Sequence, residues 1–357
     1  METPRTTRRT ALMLAGLGLG APLLASCGTK EEGEKKAAGD KNPAQPDGKK
    51  PILETMRVYV PGVTMAFSAP LTTFGSHGKL AGYVGRVKLD KWANPDVLKS
   101  LLINGETDLT ATPSYAAANL FNKGVPIRLV SIVVWGMLYV MGPAGAEKGS
   151  FEALRGKKVA VPWPNRMPDL VFRYLMGENK MKADADITIL PYQSPPEAMK
   201  ALLTGEVDYA VLLEQAATVA EMKSKDTPRP LGRVVNLQEE WGKVTGGPAR
   251  FPMAGLVMSS KLIDQEPKIV GAVLDELEAS VNELNALSPE VIEKVAKATG
   301  VKPPIVKSVV PRLQLEAVSA QKAKPELEDF YTRLSTLNPN FIGGKLPAAD
   351  FYAADPR

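Results

Sequence analysis

A twelve-residue segment occurs twice in this chain, one hundred positions apart. The first copy reads KSLLINGETDLT (99–110) and the second MKALLTGEVDYA (199–210), so the pattern Gly-Glu-x-Asp falls at the same place in both. In each copy the spacing of the large apolar residues predicts a helix, the glycine ends that helix, and a short apolar run predicts a strand. Two copies of one supersecondary unit indicate two similar lobes, against the alternative of a chance match between unrelated helix–strand units.

The strand that follows each copy predicts where a ligand binds. In an open α/β sheet, ligands lie beyond the carboxyl ends of the strands. The first strand runs into Thr112, Pro113 and Ser114, and the second runs into Glu214 and Gln215. These two groups are therefore expected to face each other across a cleft between the lobes.

The rest of the chain alternates predicted strands and helices, which favours parallel sheets covered by helices on both faces. The fold class we expect is α/β and two-lobed, each lobe a mostly parallel sheet flanked by helices, with a helical C-terminal region packed on the first lobe. We assign residues 51–143 to the first part of lobe 1, 144–248 to lobe 2, and 249–357 to the return to lobe 1. Residues 71–82 are predicted to form a helix and residues 84–92 a strand, and Asn94 followed by proline is expected to start the next helix.

The N-terminus resembles an export signal. Three arginines precede an apolar stretch, residues 11–26, that is too short for an ordinary membrane span. The stretch ends in Leu-Ala-Ser-Cys, which resembles the bacterial lipobox, and Cys27 is the single cysteine of the chain. We expect a lipoprotein signal peptide (1–27), lipid carrying acyl chains such as palmitate on Cys27, and a disordered tether (28–50) without core-forming residues. A buried structural cysteine is the alternative, and Sec and Tat export both remain open.

Charge and composition disfavour several classes of function. The formal net charge is +5, and it falls to +3 once a signal peptide with three Arg and one Glu is removed. No dense basic tract interleaved with aromatic residues occurs in the body, so nucleic-acid binding is not expected. With His77 as the single histidine and one cysteine, the chain lacks the set for a transition-metal site or a hydrolytic triad. No phosphate-binding loop motif is present. We therefore expect no cofactor, no metal and no enzymatic activity.

Four motifs together resemble the substrate-binding lipoproteins of ABC importers, specifically the nitrate, sulfonate, taurine and thiamine-precursor binding family. They are Gly-Glu-Thr-Asp with Pro113, LRGKKVAV (154–161), GEVDYA (205–210), and the tail from Leu-Pro to Phe-Tyr (346–352). The resemblance covers residues 55–352 and implies the type II periplasmic binding protein fold. It also implies a monomer on the outer side of a bacterial membrane that delivers a small molecule to a permease and its ATPase subunit. A lipoprotein that senses a ligand for a signalling partner is the alternative.

The candidate ligand-binding residues lie at the predicted strand ends and near the two lobe crossings. They are Thr64, Met65, Phe67, Thr112, Pro113, Ser114, Trp135, Trp163, Asn165, Arg166, Glu214, Gln215 and Phe251. Other roles are open for some of them: core packing for the two tryptophans, helix capping for Thr64 and Ser114, and a solvated surface charge for Arg166.

The turn at 164–169 bears on the class of ligand. Its two prolines lack N–H donors, and a carboxylate, Asp169, stands at the start of the following helix, where it would repel an anion. Glu214 adds a second carboxylate to the predicted wall. The sequence therefore favours an aromatic or nitrogen-heterocyclic ligand over nitrate or a simple sulfonate, although Arg166 and Arg250 could still pair with an anion.

Overall fold

The computed structural model describes residues 50–62 and 65–357. The predicted signal peptide, the lipidation site Cys27, nearly all of the predicted tether and the candidate ligand residue Thr64 lie outside the described residues. Within the described ranges, no helix is both long enough and apolar enough to cross a membrane.

Within the described ranges, eleven strands form two sheets. In chain order they are β1 (Leu53–Pro61), β2 (Val84–Trp92), β3 (Leu109–Pro113), β4 (Ile127–Val134), β5 (Leu138–Pro143), β6 (Lys158–Pro162), β7 (Thr188–Tyr192), β8 (Tyr209–Leu213), β9 (Leu231–Asn236), β10 (Ala254–Ser259) and β11 (Leu315–Ser319). The first sheet has the order β11-β4-β10-β3-β1-β2 and the second the order β7-β6-β8-β5-β9.

Twelve α-helices in the described residues cover the sheets. They are α1 (Met65–Ser68), α2 (Pro95–Ile103), α3 (Ser114–Asn122), α4 (Met167–Glu178), α5 (Pro195–Thr204), α6 (Glu214–Ser224), α7 (Leu237–Thr245), α8 (Ser260–Gln265), α9 (Lys268–Asn285), α10 (Pro289–Thr299), α11 (Pro303–Val309) and α12 (Ala320–Ser335). Short 3₁₀ segments, among them Pro339–Ile342, connect some of them.

The two sheets share one topology. Read from the edge, β2-β1-β3-β10-β4 in the first sheet corresponds to β7-β6-β8-β5-β9 in the second. In both, three parallel strands are followed by an antiparallel strand that arrives from the other lobe, β10 in one case and β5 in the other. This arrangement confirms the predicted two-lobed α/β class, with mixed sheets because each crossing strand runs antiparallel.

The duplicated segment has the same structural role in each lobe. In lobe 1 the Asp108 N–H donates to the carbonyl of Arg57 (2.9 Å) while its carboxylate accepts the Arg57 N–H (2.7 Å). In lobe 2 Asp208 and Lys158 exchange the same two bonds, at 3.0 and 2.9 Å. The glycine of each copy has a positive φ, 66° and 77°. Each aspartate therefore fixes the start of its strand against the neighbouring parallel strand, β1 in lobe 1 and β6 in lobe 2.

The structure corrects the predicted lobe boundaries. Strand β5, which the sequence analysis places in lobe 1, is hydrogen-bonded between β8 and β9 of the second sheet. The C-terminal region also does more than cover lobe 1, because α11 packs on α6 and α12 packs on α4. Both lobes are thus held by the C-terminal helices.

The helix predicted for residues 71–82 does not form. Three glycines in this stretch, Gly75, Gly78 and Gly82, have positive φ values that interrupt a right-handed helix. The buried carboxylate of Glu276 on α9 instead accepts the backbone N–H groups of Gly75, His77 and Lys79 at 2.8 to 2.9 Å. These donors are satisfied by a side chain from another element, which a local pattern does not reveal.

Candidate functional site

A cavity of about 900 Å³ lies between the two lobes. Its lobe-1 wall is formed at the carboxyl ends of β1, β2 and β3 and by the first turns of α3. Its lobe-2 wall is the loop after β6, residues 163–166, together with residues at the ends of β7 and β8. The position agrees with the rule that places ligands beyond the carboxyl ends of parallel strands.

The cavity wall is aromatic, carboxamide-rich and nearly uncharged. Its aromatic members are Phe67, Trp92, Tyr115, Trp163 and Phe341, and its carboxamides are Asn94, Asn119, Asn165, Gln193, Asn338 and Asn340. Arg166 is the one charged side chain among the described residues that line it. Apolar walls with a few polar groups are typical of sites for small organic molecules.

Six of the candidate ligand residues line this cavity: Phe67, Thr112, Pro113, Trp163, Asn165 and Arg166. Six others do not line it: Met65, Ser114, Trp135, Glu214, Gln215 and Phe251. Sequence analysis missed Trp92, Tyr115, Gln193 and Phe341, which do. Trp92 is the last residue of a strand predicted with the right bounds, so the strand-end rule would have found it.

Glu214 lies at the first position of α6 but is completely buried and used within lobe 2. Arg233 donates to both of its carboxylate oxygens, at 3.1 and 2.6 Å, and the Thr218 hydroxyl donates at 2.7 Å. Burial raises the pKa of Glu214, and the guanidinium of Arg233 opposes that rise. Contact with a ligand in this cavity would require the carboxylate to leave Arg233.

Three more of the six candidates that do not line the cavity make structural contacts elsewhere. The Ser114 hydroxyl donates to the carbonyl of Pro252 at 2.5 Å. Trp135 borders a separate opening of about 510 Å³ at the lobe crossings, under the guanidinium of Arg250 at 4.1 Å. Phe251 is stacked on Phe330 with 5.7 Å between ring centroids. The crossings therefore carry packing residues.

Gln215 joins the lobes directly. Its side-chain oxygen accepts the backbone N–H of Met65 at 3.3 Å, from a position 150 residues away in the sequence. Because Gln215 belongs to lobe 2 and Met65 to lobe 1, this bond exists only when the lobes are close together. Both candidates are thus placed at the contact between the lobes, next to the cavity and outside its wall.

The loop after β6 is held in an unusual backbone conformation. Trp163 and Asn165 have φ values of 55° and 61°, in the left-handed region that side chains other than glycine rarely occupy. Such residues cost about 1–2 kcal/mol each and concentrate at binding sites. The Asn165 N–H donates to the carboxylate of Asp169 at 2.8 Å, which fixes the turn. Contacts within the folded protein therefore hold this loop with its side chains at the cavity, although its left-handed backbone is unfavourable.

Arg166 from lobe 2 meets Tyr115 from lobe 1 across the cavity. Burial raises the pKa of the Tyr115 hydroxyl, and the neighbouring guanidinium of Arg166 partly offsets the effect. The Tyr115 ring is stacked on Phe341 at 4.7 Å, so its position is fixed from behind. The two lobes thus make a polar contact here, at the cavity wall.

Two residues of the lobe-1 wall carry polar atoms without a partner among the described residues. They are the indole Nε1 of Trp92 and the hydroxyl of Thr112, and the two residues are 7% and 1% exposed. A buried polar group left unpaired costs about 1–3 kcal/mol. Unpaired groups of this kind in a cavity wall are typical of sites whose partner is a ligand.

Replacing Thr112 by the isosteric valine is expected to stabilise the ligand-free protein by about 1 kcal/mol, because it removes a buried hydroxyl that makes no hydrogen bond. Differential scanning calorimetry should show a rise of about 2 °C in the melting temperature. Thr110 is the matched control on the same strand, since it is equally buried but its hydroxyl donates to the carbonyl of Tyr59 at 2.8 Å. Thr110→Val should lower the melting temperature, and equal effects of the two changes would contradict the prediction.

The topology and the interlobar cavity define a two-lobed protein with the type II periplasmic binding protein fold. Solved structures of this fold resemble it. An ABC transporter protein from Parabacteroides distasonis superposes with a TM-score of 0.69 at 23% identity, covering 84% of this chain and 99% of that one. The aliphatic sulphonate binding protein of Escherichia coli gives 0.64 at 13% identity, covering 85% and 93%. The nitrate-binding protein of Synechocystis PCC 6803 gives 0.58 at 15% identity, covering 85% and 86%.

Comparison with family models gives a narrower assignment. Residues 91–335, more than half of the chain, match the family described as menaquinone biosynthesis, and the protein belongs to that family. No curated protein matches the sequence at a significant level. The implied fold of the periplasmic binding proteins is confirmed, while the family carries a different description from the importer family named on the sequence motifs.

Proposed function

We propose that this protein is an extracytoplasmic solute-binding lipoprotein that captures a small organic molecule between its lobes and delivers it to an ABC import permease. The observation that carries the proposal is the cavity of about 900 Å³ whose two walls come from different lobes. A ligand that contacts both walls stabilises the closed arrangement over the open one.

The chemistry of the cavity wall favours binding over catalysis. Its described residues include no Asp, Glu, His, Cys, Lys or Ser, the side chains that most often act as general acids, bases or nucleophiles. No cluster of three or more potential metal-ligating side chains occurs in the described residues. What the wall offers is aromatic surface, carboxamides and one guanidinium, which orient and retain a molecule.

The proposed location rests on the N-terminal sequence. The basic residues, the short apolar stretch and the Leu-Ala-Ser-Cys motif support export and lipid attachment at Cys27. A lipid anchor there would hold the lobes at the outer side of a bacterial membrane, where the permease accepts its substrate. The periplasmic sulphonate- and nitrate-binding proteins that share the fold are consistent with this location.

The proposal is tested by identifying the small molecule that copurifies with the protein from its native host. The full-length protein is purified in detergent and denatured, and the released small molecules are identified by mass spectrometry. Each compound is then added back to ligand-free protein, and tryptophan fluorescence and small-angle scattering are recorded. We expect one compound to bind and to reduce the radius of gyration. Binding without any change in lobe arrangement, or no binding by any released compound, would contradict capture by closure.

Membership in the menaquinone biosynthesis family raises a second candidate, an enzyme that converts its ligand. The same experiment separates the two. Under the binding proposal, the compound recovered after prolonged incubation has the mass of the compound added. A change in mass that depends on the folded protein would favour the enzyme.

A further inference from the structure

Two stretches of the described chain cross between the lobes side by side. Residues 135–137 lead from β4 to β5, and residues 246–253 lead from α7 to β10. They are joined because the Phe251 N–H donates to the carbonyl of Trp135 at 3.0 Å. Under the proposed capture by closure, on which this inference rests, movement of the lobes changes the backbone of both crossings. Side chains that brace the crossings therefore act on closure.

Arg250 of the second crossing contacts three other elements at once. Its guanidinium lies 4.1 Å from the centroid of the Trp135 ring in the first crossing. Its Nη1 donates to Glu316 of β11 at 2.6 Å, and its Nε and Nη2 donate to the two carboxylate oxygens of Glu326 on α12 at 3.0 and 2.6 Å. The Trp135 indole in turn donates to the main-chain carbonyl of Glu316 at 3.1 Å. These four residues, which we call the hinge clamp, tie both crossings to β11 and α12.

The segment before β11 packs against the same point. The Gly136 N–H donates to the carbonyl of Leu313 at 3.2 Å, and the Gln314 side-chain amide donates to the carbonyl of Ala249 at 3.2 Å. A Cβ atom at position 136 would lie only 2.5 Å from the Gln314 side-chain oxygen, so a glycine is required for this close approach. Segments packed this closely cannot twist while every contact between them stays intact.

Arg250 has no direct contact with the interlobar cavity. The sequence left open that this arginine pairs with an anionic solute. In the structure its guanidinium is already held by the carboxylates of Glu316 and Glu326, and it does not line the cavity. It borders the separate opening of about 510 Å³ together with Trp135. An effect of Arg250 on solute capture therefore has to pass through the crossings.

The hinge clamp is formed in an arrangement whose lobes touch. Gln215 of lobe 2 accepts the Met65 N–H of lobe 1 at 3.3 Å, and the Asn338 side chain donates to the carbonyl of Asn165 in lobe 2 at 3.5 Å. In this arrangement the three carboxylate bonds of Arg250 are all 3.0 Å or shorter. Charge-assisted, bidentate hydrogen bonds depend strongly on orientation. A twist of the crossings as the lobes separate removes the guanidinium from this geometry.

We propose that Arg250 is the positioning residue of the hinge and that the hinge clamp favours the closed arrangement over the open one. Arg250 thereby raises the affinity for solute without touching the solute. A solute stabilises closure from within the cleft, and the clamp stabilises it from the crossings. Because the apparent affinity scales with the fraction of binding-competent protein, a lower ratio of closed to open protein weakens solute binding by up to the same factor.

Double electron–electron resonance tests the proposal without any solute. Spin labels are placed at Lys99→Cys on α2 of lobe 1 and at Lys200→Cys on α5 of lobe 2, both exposed positions. The ligand-free, full-length protein carries Cys27→Ser, which removes the single native thiol. We expect two label distances, one for closed and one for open protein. Arg250→Met should raise the ratio of open to closed protein at least 3-fold, and Glu326→Gln should shift it in the same direction.

Arg128→Met is the matched control. Arg128 also forms a 2.6 Å ion pair, with Asp264, and its side chain is 23% exposed against 28% for Arg250. Both members of this pair lie in lobe 1, on β4 and α8. The control should lower the melting temperature about as much as Arg250→Met and leave the distance ratio unchanged. Arg250→Lys should give an intermediate ratio, since lysine keeps the charge and lacks the bidentate fork.

The outcomes separate the hinge clamp from capture itself. Two distances whose ratio is unchanged by Arg250→Met, or shifted equally by Arg128→Met, would overturn the clamp and leave capture by closure standing. A shift towards the closed distance would also overturn it, because Arg250 would then favour the open arrangement. A single distance in the parent protein would overturn both, since no equilibrium would exist for Arg250 to set.

Discussion

Replacing Glu214 by alanine is expected to lower the free energy of unfolding by about 3 kcal/mol, because the change leaves the guanidinium of Arg233 buried without its main partner. Arg233 has a side chain only 14% exposed, with Glu214, Glu221 and the face of the Tyr139 ring around it. Removing one member of a buried ion pair costs more than the pair contributes when intact. Urea denaturation of the ligand-free protein measures the loss.

Glu221→Ala is the matched control. Glu221 also pairs with Arg233, but its side chain is 35% exposed. Its removal should cost less than about 1 kcal/mol, as is usual for partly exposed pairs. The position of Glu214 after β8 indicated a ligand contact. If that were its main role, Glu214→Ala would weaken binding of the small molecule released from the denatured protein and leave the free energy of unfolding unchanged. That pattern would contradict the structural role.

Replacing Trp241 by alanine is expected to lower the free energy of unfolding by about 4 kcal/mol and to open the lobes. Trp241 of α7 is 4% exposed and contacts Tyr174 of lobe 2, Phe251 of the crossing and Phe330 of α12, with centroid distances of 5.3 to 5.5 Å. Loss of a buried tryptophan costs about 3–5 kcal/mol in transfer and cavity terms. Because these rings join α12 to lobe 2, small-angle scattering of the variant should show a larger radius of gyration.

Trp163→Ala is the control with the same change in side chain. Trp163 lines the cavity and is only partly buried. Its loss removes none of the contacts between α12 and lobe 2. The free energy of unfolding should therefore change by less than about 1 kcal/mol, while ligand binding weakens. If Trp241→Ala has the parent's free energy of unfolding and the parent's radius of gyration, the proposed role of Trp241 and its aromatic neighbours is refuted.

The C-terminal region explains why both changes affect the whole molecule. Its helix α12 carries Phe330 against Trp241 and places Arg333 at hydrogen-bond distance, 2.8 Å, from the Tyr174 hydroxyl of lobe 2. On the other side, Arg312 lies 3.7 Å from the carboxylate of Glu214. Movement of lobe 2 relative to lobe 1 therefore has to rearrange contacts at α12 and at the Glu214 pair.

Sequence patterns were sufficient for the elements with strong local signals. Strand β2 has the predicted bounds, residues 84–92. Helix α2 begins where Asn94 was expected to start it, with the Asn94 side chain accepting two backbone N–H groups. Helix α7 and strand β11 were missed. Helix α7 is nine residues long and two of its four buried residues, Gln238 and Glu240, are polar, while β11 is a five-residue edge strand, so each offers only a short apolar pattern.

By itself the sequence determined that this protein has two similar lobes and that a cleft, the candidate site, lies where their strands end. Both follow from local physics, since the duplicated segment specifies helix, turn and strand, and parallel strands end at a common edge. Only the tertiary structure decided which residues face the cavity and what charge it carries. Asp169 and Glu214 look like site carboxylates in the sequence, yet each is paired with an arginine four or more positions away. Among the described residues no carboxylate forms an ion pair with Arg166. Spacing along the chain does not show this, because ion pairing depends on distances in space.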